Sequence, residues 1–234
     1  MLFPTGMTID PNATLAQIVL AHSATARVFQ QHGLDFCCRG DVQLSAACAA
    51  KGLDARALVT ELEAAAGARA APERDPRELS TPALVAFIVD RHHRYLREAL
   101  PALRPLADKV AHVHGPHNPK LVPFARTLHA VADALEPHLD QEEQVLFPAL
   151  MSRAPDPALV ARELAAMHED HLAVGSMLAE LRALSDGYTT PEWGCTSYRT
   201  LLNEVEALEM DVLRHVHLEN HVLMPRFAAK SAAA

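Results

Sequence analysis

Three features of this sequence predict an all-α chain in which an antiparallel four-helix bundle follows a small helical unit. Half of the 234 residues are hydrophobic and only 5% are aromatic, with Ala and Leu dominating, a balance that favours helix over sheet. In the second part of the chain, four long stretches carry apolar residues at helical spacing, separated by turns that contain Pro or Gly. Finally, an eleven-residue pattern occurs twice, from His138 to Pro148 and from His215 to Pro225, and both copies read H-x-x-x-E-x-x-V-L-x-P. No segment reads as strand.

Taken in order, residues 1–13 are a loose lead-in. A first helix is expected from Thr14 to Gln31, with Thr14 as cap, Leu15, Ile18, Val19, Val28 and Phe29 as its apolar face, and Gly33 as its stop. The loop Leu34 to Gly40 carries the vicinal pair Cys37-Cys38 beside Arg39. A short helix from about Leu44 to Lys51 and another from Asp54 to Ala66, with Leu58, Val59 and Leu62 on one side, complete a small unit over residues 1–67. Residues 68–77 are polar, hold two prolines and read as a linker, so the bundle occupies residues 78–234.

Ser80-Thr81-Pro82 starts the first bundle helix as a cap with proline in the first turn. Leu84, Phe87, Ile88 and Leu96 keep helical period until Pro101 and Pro105 disturb it. Pro116 and Pro119 mark the turn to a second helix, from about Leu121 to Leu150, with a kink expected at Pro137. Pro155 and Pro157 open a third, which carries Leu159, Leu164, Met167, His171 and Leu178 to Leu184. The fourth runs from about Trp193 to Leu223, and Pro148 and Pro225 are expected to end the helices that carry the repeated pattern.

Composition narrows the function. A formal charge of -8 and a pI near 5.9 argue against nucleic acid, which needs a basic face. No apolar run approaches the roughly 18 residues of a membrane span, and the first residues lack the basic and apolar regions of a signal peptide. Four cysteines without such a signal suit free thiols in a reducing, cytoplasmic setting. The unusual count is histidine: 14 residues, 12 of them after residue 90.

A four-residue step returns to one helix face, so His138 with Glu142, and His215 with Glu219, each point one way. One such pair alone would read as a surface contact; two with matched endings point to two helices facing a metal. The first helix adds His92-His93, of which at most one is a good ligand because neighbours diverge by about 100°, and the third adds His168 and His171. One imidazole per helix and two carboxylates suit two iron ions about 3–4 Å apart, bridged by the acids, better than one structural zinc. Cys37 and Cys38 match neither a redox nor a zinc spacing, yet Arg39 nearby favours thiolate. Cys48 and Cys195 read as structural.

Asp35-Phe36-Cys37-Cys38-Arg39-Gly40 resembles the Asp-Tyr/Phe-Cys-Cys-Gly-Gly signature of the N-terminal domain of the repair-of-iron-centres proteins. The two His-x-x-x-Glu copies resemble the hemerythrin-like bundle that follows it there, and the likeness spans about Thr14 to Phe227. By resemblance, Tyr-His before Arg-Glu-x-Leu-Pro selects His93, with His92 in the tyrosine's place. His138 and Glu142 match directly, Met-x-x-Glu-His with a later glycine (Gly175 here) selects His171 over His168, and His215 and Glu219 match within His-x-x-x-Glu-Asn. Arg39 departs from the signature's glycine. His168 leaves room for a fifth imidazole, as in oxygen-carrying hemerythrins; four is the count in the repair family.

The resemblance implies a non-haem di-iron protein of nitrosative and oxidative stress, its two iron ions oxo- or hydroxo-bridged, that repairs damaged iron-sulfur clusters. One reading adds reaction with nitric oxide of the di-iron reductase type, with Cys37 and Cys38 in redox or iron handover. The other is a nitric-oxide scavenger or sensor, associated with denitrification, without turnover. Expected partners are nitric oxide or oxygen, damaged iron-sulfur proteins and an electron donor, with neither nucleic acid nor membrane, and the protein as monomer or homodimer.

Overall fold

The computed structural model describes residues 8–67 and 75–228, and the chain divides into two compact units, Met1–Glu78 and Leu79–Ala234. In the first unit α1 (Leu15–Ala21) starts from a capping box. The Thr14 hydroxyl accepts from the Gln17 N–H, and the Gln17 side chain accepts from the Thr14 N–H. The single helix expected from Thr14 to Gln31 is two helices, because the Thr25 hydroxyl and N–H both donate to the His22 carbonyl, at 2.6 and 2.9 Å, and α2 (Thr25–Gln31) restarts there. Gly33, at φ 62°, turns the chain after α2.

Next come α3 (Leu44–Lys51) and α4 (Ala55–Gly67). Phe29, Phe36, Leu44, Leu58 and Leu62 are fully buried among these four helices. Of the stretch expected as a linker, residues 68–74 lie outside the described residues. Pro76–Glu78 form a 3-10 turn, with the Arg77 guanidinium bonded to Asp75.

The second unit is built from four rods. The first joins α5 (Thr81–Ile88), capped by the Ser80 hydroxyl, to α6 (Arg94–His114) through a π-helical turn at Val89–His93. The second joins α7 (Leu121–Gln141) to α8 (Phe147–Met151) through a π-turn at Glu142–Leu146. The third is α9 (Pro157–Leu184), capped by Asp156. The fourth joins α10 (Thr196–Leu218) to α11 (Pro225–Ala228) through a π-turn at Glu219–Leu223. α6 packs on α7, α7 on α9, α9 on α10 and α10 on α6, closing an antiparallel four-rod bundle. Its interior is apolar along most of its length, with Leu100, Leu128, Leu178, Leu201 and Leu208 buried. No strand occurs among the described residues, and no described helix is long and apolar enough to cross a membrane.

Two expectations about proline are corrected. Pro101 and Pro105 lie inside α6, which continues to His114; both face solvent, where water can satisfy the carbonyls they leave without an intrahelical donor. Pro148 and Pro225 do not end their rods either. The N–H groups of Phe147 and Met224 reach back five residues to the carbonyls of Glu142 and Glu219. The widened turn takes up the proline, and a last helical turn follows. The fourth helix also begins at Thr196 rather than Trp193, since the Gly194 N–H closes a turn on Pro191.

Candidate metal centre

All three π-turns lie at one level of the bundle and carry His93, Glu142 and Glu219, as such turns often do at functional sites. Together with His138, His171 and His215, these side chains meet in the interior, none more than 6% exposed. Their donor atoms form two sets of four: His93, His215, Glu142 and Glu219, and His138, His171, Glu142 and Glu219. In the first set His93 Nε2 lies 3.2 Å from His215 Nε2 and 3.4 Å from Glu142 Oε2, and His215 Nε2 lies 2.8 Å from Glu219 Oε1. In the second, His138 Nε2 is 3.3 Å from Glu142 Oε1, and His171 Nε2 is 3.1 Å from Glu219 Oε2. Each carboxylate therefore gives one oxygen to each imidazole pair.

The donor set fits a cation. Both Glu142 oxygens, Glu219 Oε2, His138 Nε2 and His171 Nε2 are buried and lack a hydrogen-bond partner, an arrangement costing about 1–3 kcal/mol per group unless something else satisfies it. Burial pushes Glu219 up, but His215 and His171 beside it outweigh burial and hold the carboxyl well below its usual range. Burial and the Glu219 charge push Glu142 up as well; His138 and His93 prevail and lower it. Burial likewise opposes the charge on His138, but the Glu142 carboxylate beside it raises it to about 9, and Glu142 raises His93 in the same way. Without metal, the pocket thus favours ionised acids and a proton on His138, which an incoming cation displaces.

Residues 84–227 match the hemerythrin HHE cation binding domain, and residues 11–66 match a domain of unknown function, DUF542. An iron-sulfur cluster repair protein, ScdA, of Staphylococcus haemolyticus is 31% identical over 94% of this chain and 100% of its own length. The iron-sulfur cluster repair proteins YtfE of Yersinia pseudotuberculosis and Yersinia pestis are each 34% identical over 92% of this chain and 96% of theirs. The chain belongs to the hemerythrin-like iron-sulfur cluster repair family.

In this member of the hemerythrin-like family, helices across the bundle supply acceptors that turn three imidazoles inward. His93 Nδ1 meets Glu143 Oε1 at 2.9 Å, His138 Nδ1 meets Asp170 Oδ2 at 3.1 Å, and His171 Nδ1 meets Asn220 Oδ1 at 3.2 Å. Such contacts leave Nε2 free for a metal and make it more basic. Arg97 in turn holds Glu143 and Asp140, at 3.1 and 2.7 Å. Sequence reasoning missed these acceptors. Each nevertheless adjoins a donor in the chain (Glu143 after Glu142, Asp170 before His171, Asn220 after Glu219), so a polar neighbour at each donor was the available signal. His92 and His168, left open by the sequence, fall outside both donor sets.

In the separate DUF542 unit, Asp35 Oδ1 accepts from the Cys37 and Cys38 N–H groups at 3.1 and 2.8 Å and faces the Cys37 thiol at 3.2 Å. The two sulfurs are 3.6 Å apart, and Asp35, Cys37 and Cys38 form a further cluster of possible metal donors. Cys37 stands in surroundings that oppose the thiolate that Arg39 was expected to favour. Its bond to Cys38, its burial and the charge of Asp35 raise that thiol well above the usual value. All four cysteines are free thiols.

Proposed function

We propose that the bundle holds two iron ions, one at His93 and His215 and one at His138 and His171, bridged by Glu142 and Glu219, and that the protein uses them in iron-sulfur cluster repair and in reaction with nitric oxide. The observation that carries this is the split of each carboxylate between the two imidazole pairs; a single ion would need only one set. When bound, a ferrous pair supplies open positions for a small ligand and the two electrons that convert two nitric oxide molecules and two protons to nitrous oxide and water. The chain's own residues do the rest. Glu143, Asp170 and Asn220 fix three imidazole planes. Phe147, buried and stacked on the His93 ring, shields that imidazole from bulk water, and the ionised acids neutralise the cations.

Repair is supported by the names of the ScdA and YtfE relatives, which match this chain over both units. For that role Cys37 and Cys38 are the residues of redox or iron handover, and the free thiols fit a reducing, cytoplasmic setting.

The test is iron per chain on freshly purified protein, followed by anaerobic exposure of the reduced form to nitric oxide while nitrous oxide is measured. Two irons and repeated turnover support the di-iron and nitric-oxide reading, and recovery of a damaged iron-sulfur protein then tests repair. Two irons with stoichiometric uptake and no nitrous oxide turn it into a scavenger. No iron in a folded protein overturns it.

A further inference from the structure

His215 is held differently from the other three imidazoles. Its Nδ1 is buried and has no hydrogen-bond partner, whereas His93, His138 and His171 each present Nδ1 to an oxygen. In place of an acceptor, the His215 ring lies parallel to His92, with centroids 5.7 Å apart and planes 7° apart. His92 is itself 4% exposed and is anchored through Nδ1 to Asp211 Oδ1 at 3.0 Å. Asp211 stands one turn before His215 on α10, and Phe87 meets the His92 ring edge-on, with centroids 6.1 Å apart. The plane of His215 is therefore set by ring packing. An acceptor on Nδ1 both blocks rotation and makes Nε2 a stronger donor; packing does only the first.

We propose that His92, pinned by Asp211, is the positioning residue for His215, and that the metal position formed by His93 and His215 is the more readily emptied of the two. The inference rests on the two-ion reading above and adds an asymmetry to it. One position that gives up its ion while the other keeps it would let the bundle release iron without emptying its pocket.

The test follows iron loss from the full chain, loaded with ferrous iron, into excess chelator, with helicity monitored by circular dichroism. The parent should lose its iron in a fast and a slow phase. His92→Ala should accelerate the fast phase by about tenfold or more and leave the slow phase unchanged. His92→Phe, which keeps a flat ring against His215, should return the fast phase towards the parent rate. Asp211→Asn, which loosens His92 without opening a hole, should accelerate the fast phase alone, and it carries the test if His92→Ala loses helicity. A single phase in the parent, equal acceleration of both phases, or an unchanged fast phase in folded His92→Ala overturns the inference. A parent that binds fewer than two irons overturns the two-ion reading itself, whereas two irons with an unchanged variant overturn only the role of His92.

Discussion

Glu142 and Glu219 stand on different rods, yet each turns its two oxygens to opposite imidazole pairs. Glu142 Oε1 faces His138 at 3.3 Å and Oε2 faces His93 at 3.4 Å, while Glu219 Oε1 faces His215 at 2.8 Å and Oε2 faces His171 at 3.1 Å. Neither acid belongs to one half of the centre, and that sharing separates the consequences of losing an acid from those of losing an imidazole.

Glu142→Leu and Glu219→Leu should each remove both irons, because each strips a donor from both sets. His138→Ala should weaken mainly the His138–His171 position and leave close to one iron per chain. Colorimetric iron analysis of purified variants decides this. Equal loss in the acid and imidazole variants would contradict the shared arrangement.

The acceptors behind the imidazoles should matter nearly as much as the donors. Asp170→Ala and Asn220→Ala should each lower metal affinity about 10- to 100-fold with little change in secondary structure. Competition with a chelator of known affinity measures it. Unchanged affinity in both would show that orientation of His138 and His171 is set elsewhere.

Stability should fall with rising pH above neutrality in the metal-free protein but not in the loaded one. Without metal, His138 is raised from its usual 6.5 to about 9. Its stabilising contribution is thus present in full below pH 6.5 and lost as pH climbs through about 9, amounting to about 3 kcal/mol. In the loaded protein the imidazoles carry no proton, so stability rises with pH only up to about 6.5, where the unfolded imidazoles lose theirs, and is level above it. Urea midpoints from pH 6.5 to 9 should fall for chelated protein and hold level for loaded protein.

Phe147 ties the core to the site. It is 1% exposed and stacks on the His93 ring, with centroids 5.7 Å apart. Phe147→Ala should cost about 3–5 kcal/mol by opening a cavity and should also weaken the His93–His215 position. Denaturant unfolding of the chelated protein separates the stability effect from the metal effect.

Cys37→Ser with Cys38→Ser should leave iron per chain unchanged, since the donor sets of the bundle contain no sulfur, while abolishing recovery of a damaged iron-sulfur enzyme mixed with the protein. Retained recovery would remove the thiols from the repair step.

Local features were readable without coordinates. Gly33 stops α2, Pro157 opens α9, α3 spans Leu44–Lys51, and the four-residue step sets His138 with Glu142 and His215 with Glu219 on common faces. Some local competition was not readable. The Thr25 hydroxyl outbids the helix at His22, and the V-L-x-P endings produce π-turns instead of helix ends. In both cases a carbonyl had two available donors, and the amino-acid pattern did not say which would win.

By itself, then, the sequence determined the helical class, the punctuation of the rods and two histidine–glutamate pairs, because these follow from backbone periodicity and near neighbours. Only the tertiary structure decided that His93 pairs with His215 and His138 with His171, that Glu143, Asp170 and Asn220 stand behind three of them, and that His92 lies flat against the fourth. Those relations depend on the rotation and axial register of four packed rods, which arise from contacts between residues far apart in the chain, such as His93 and His215, 122 positions apart.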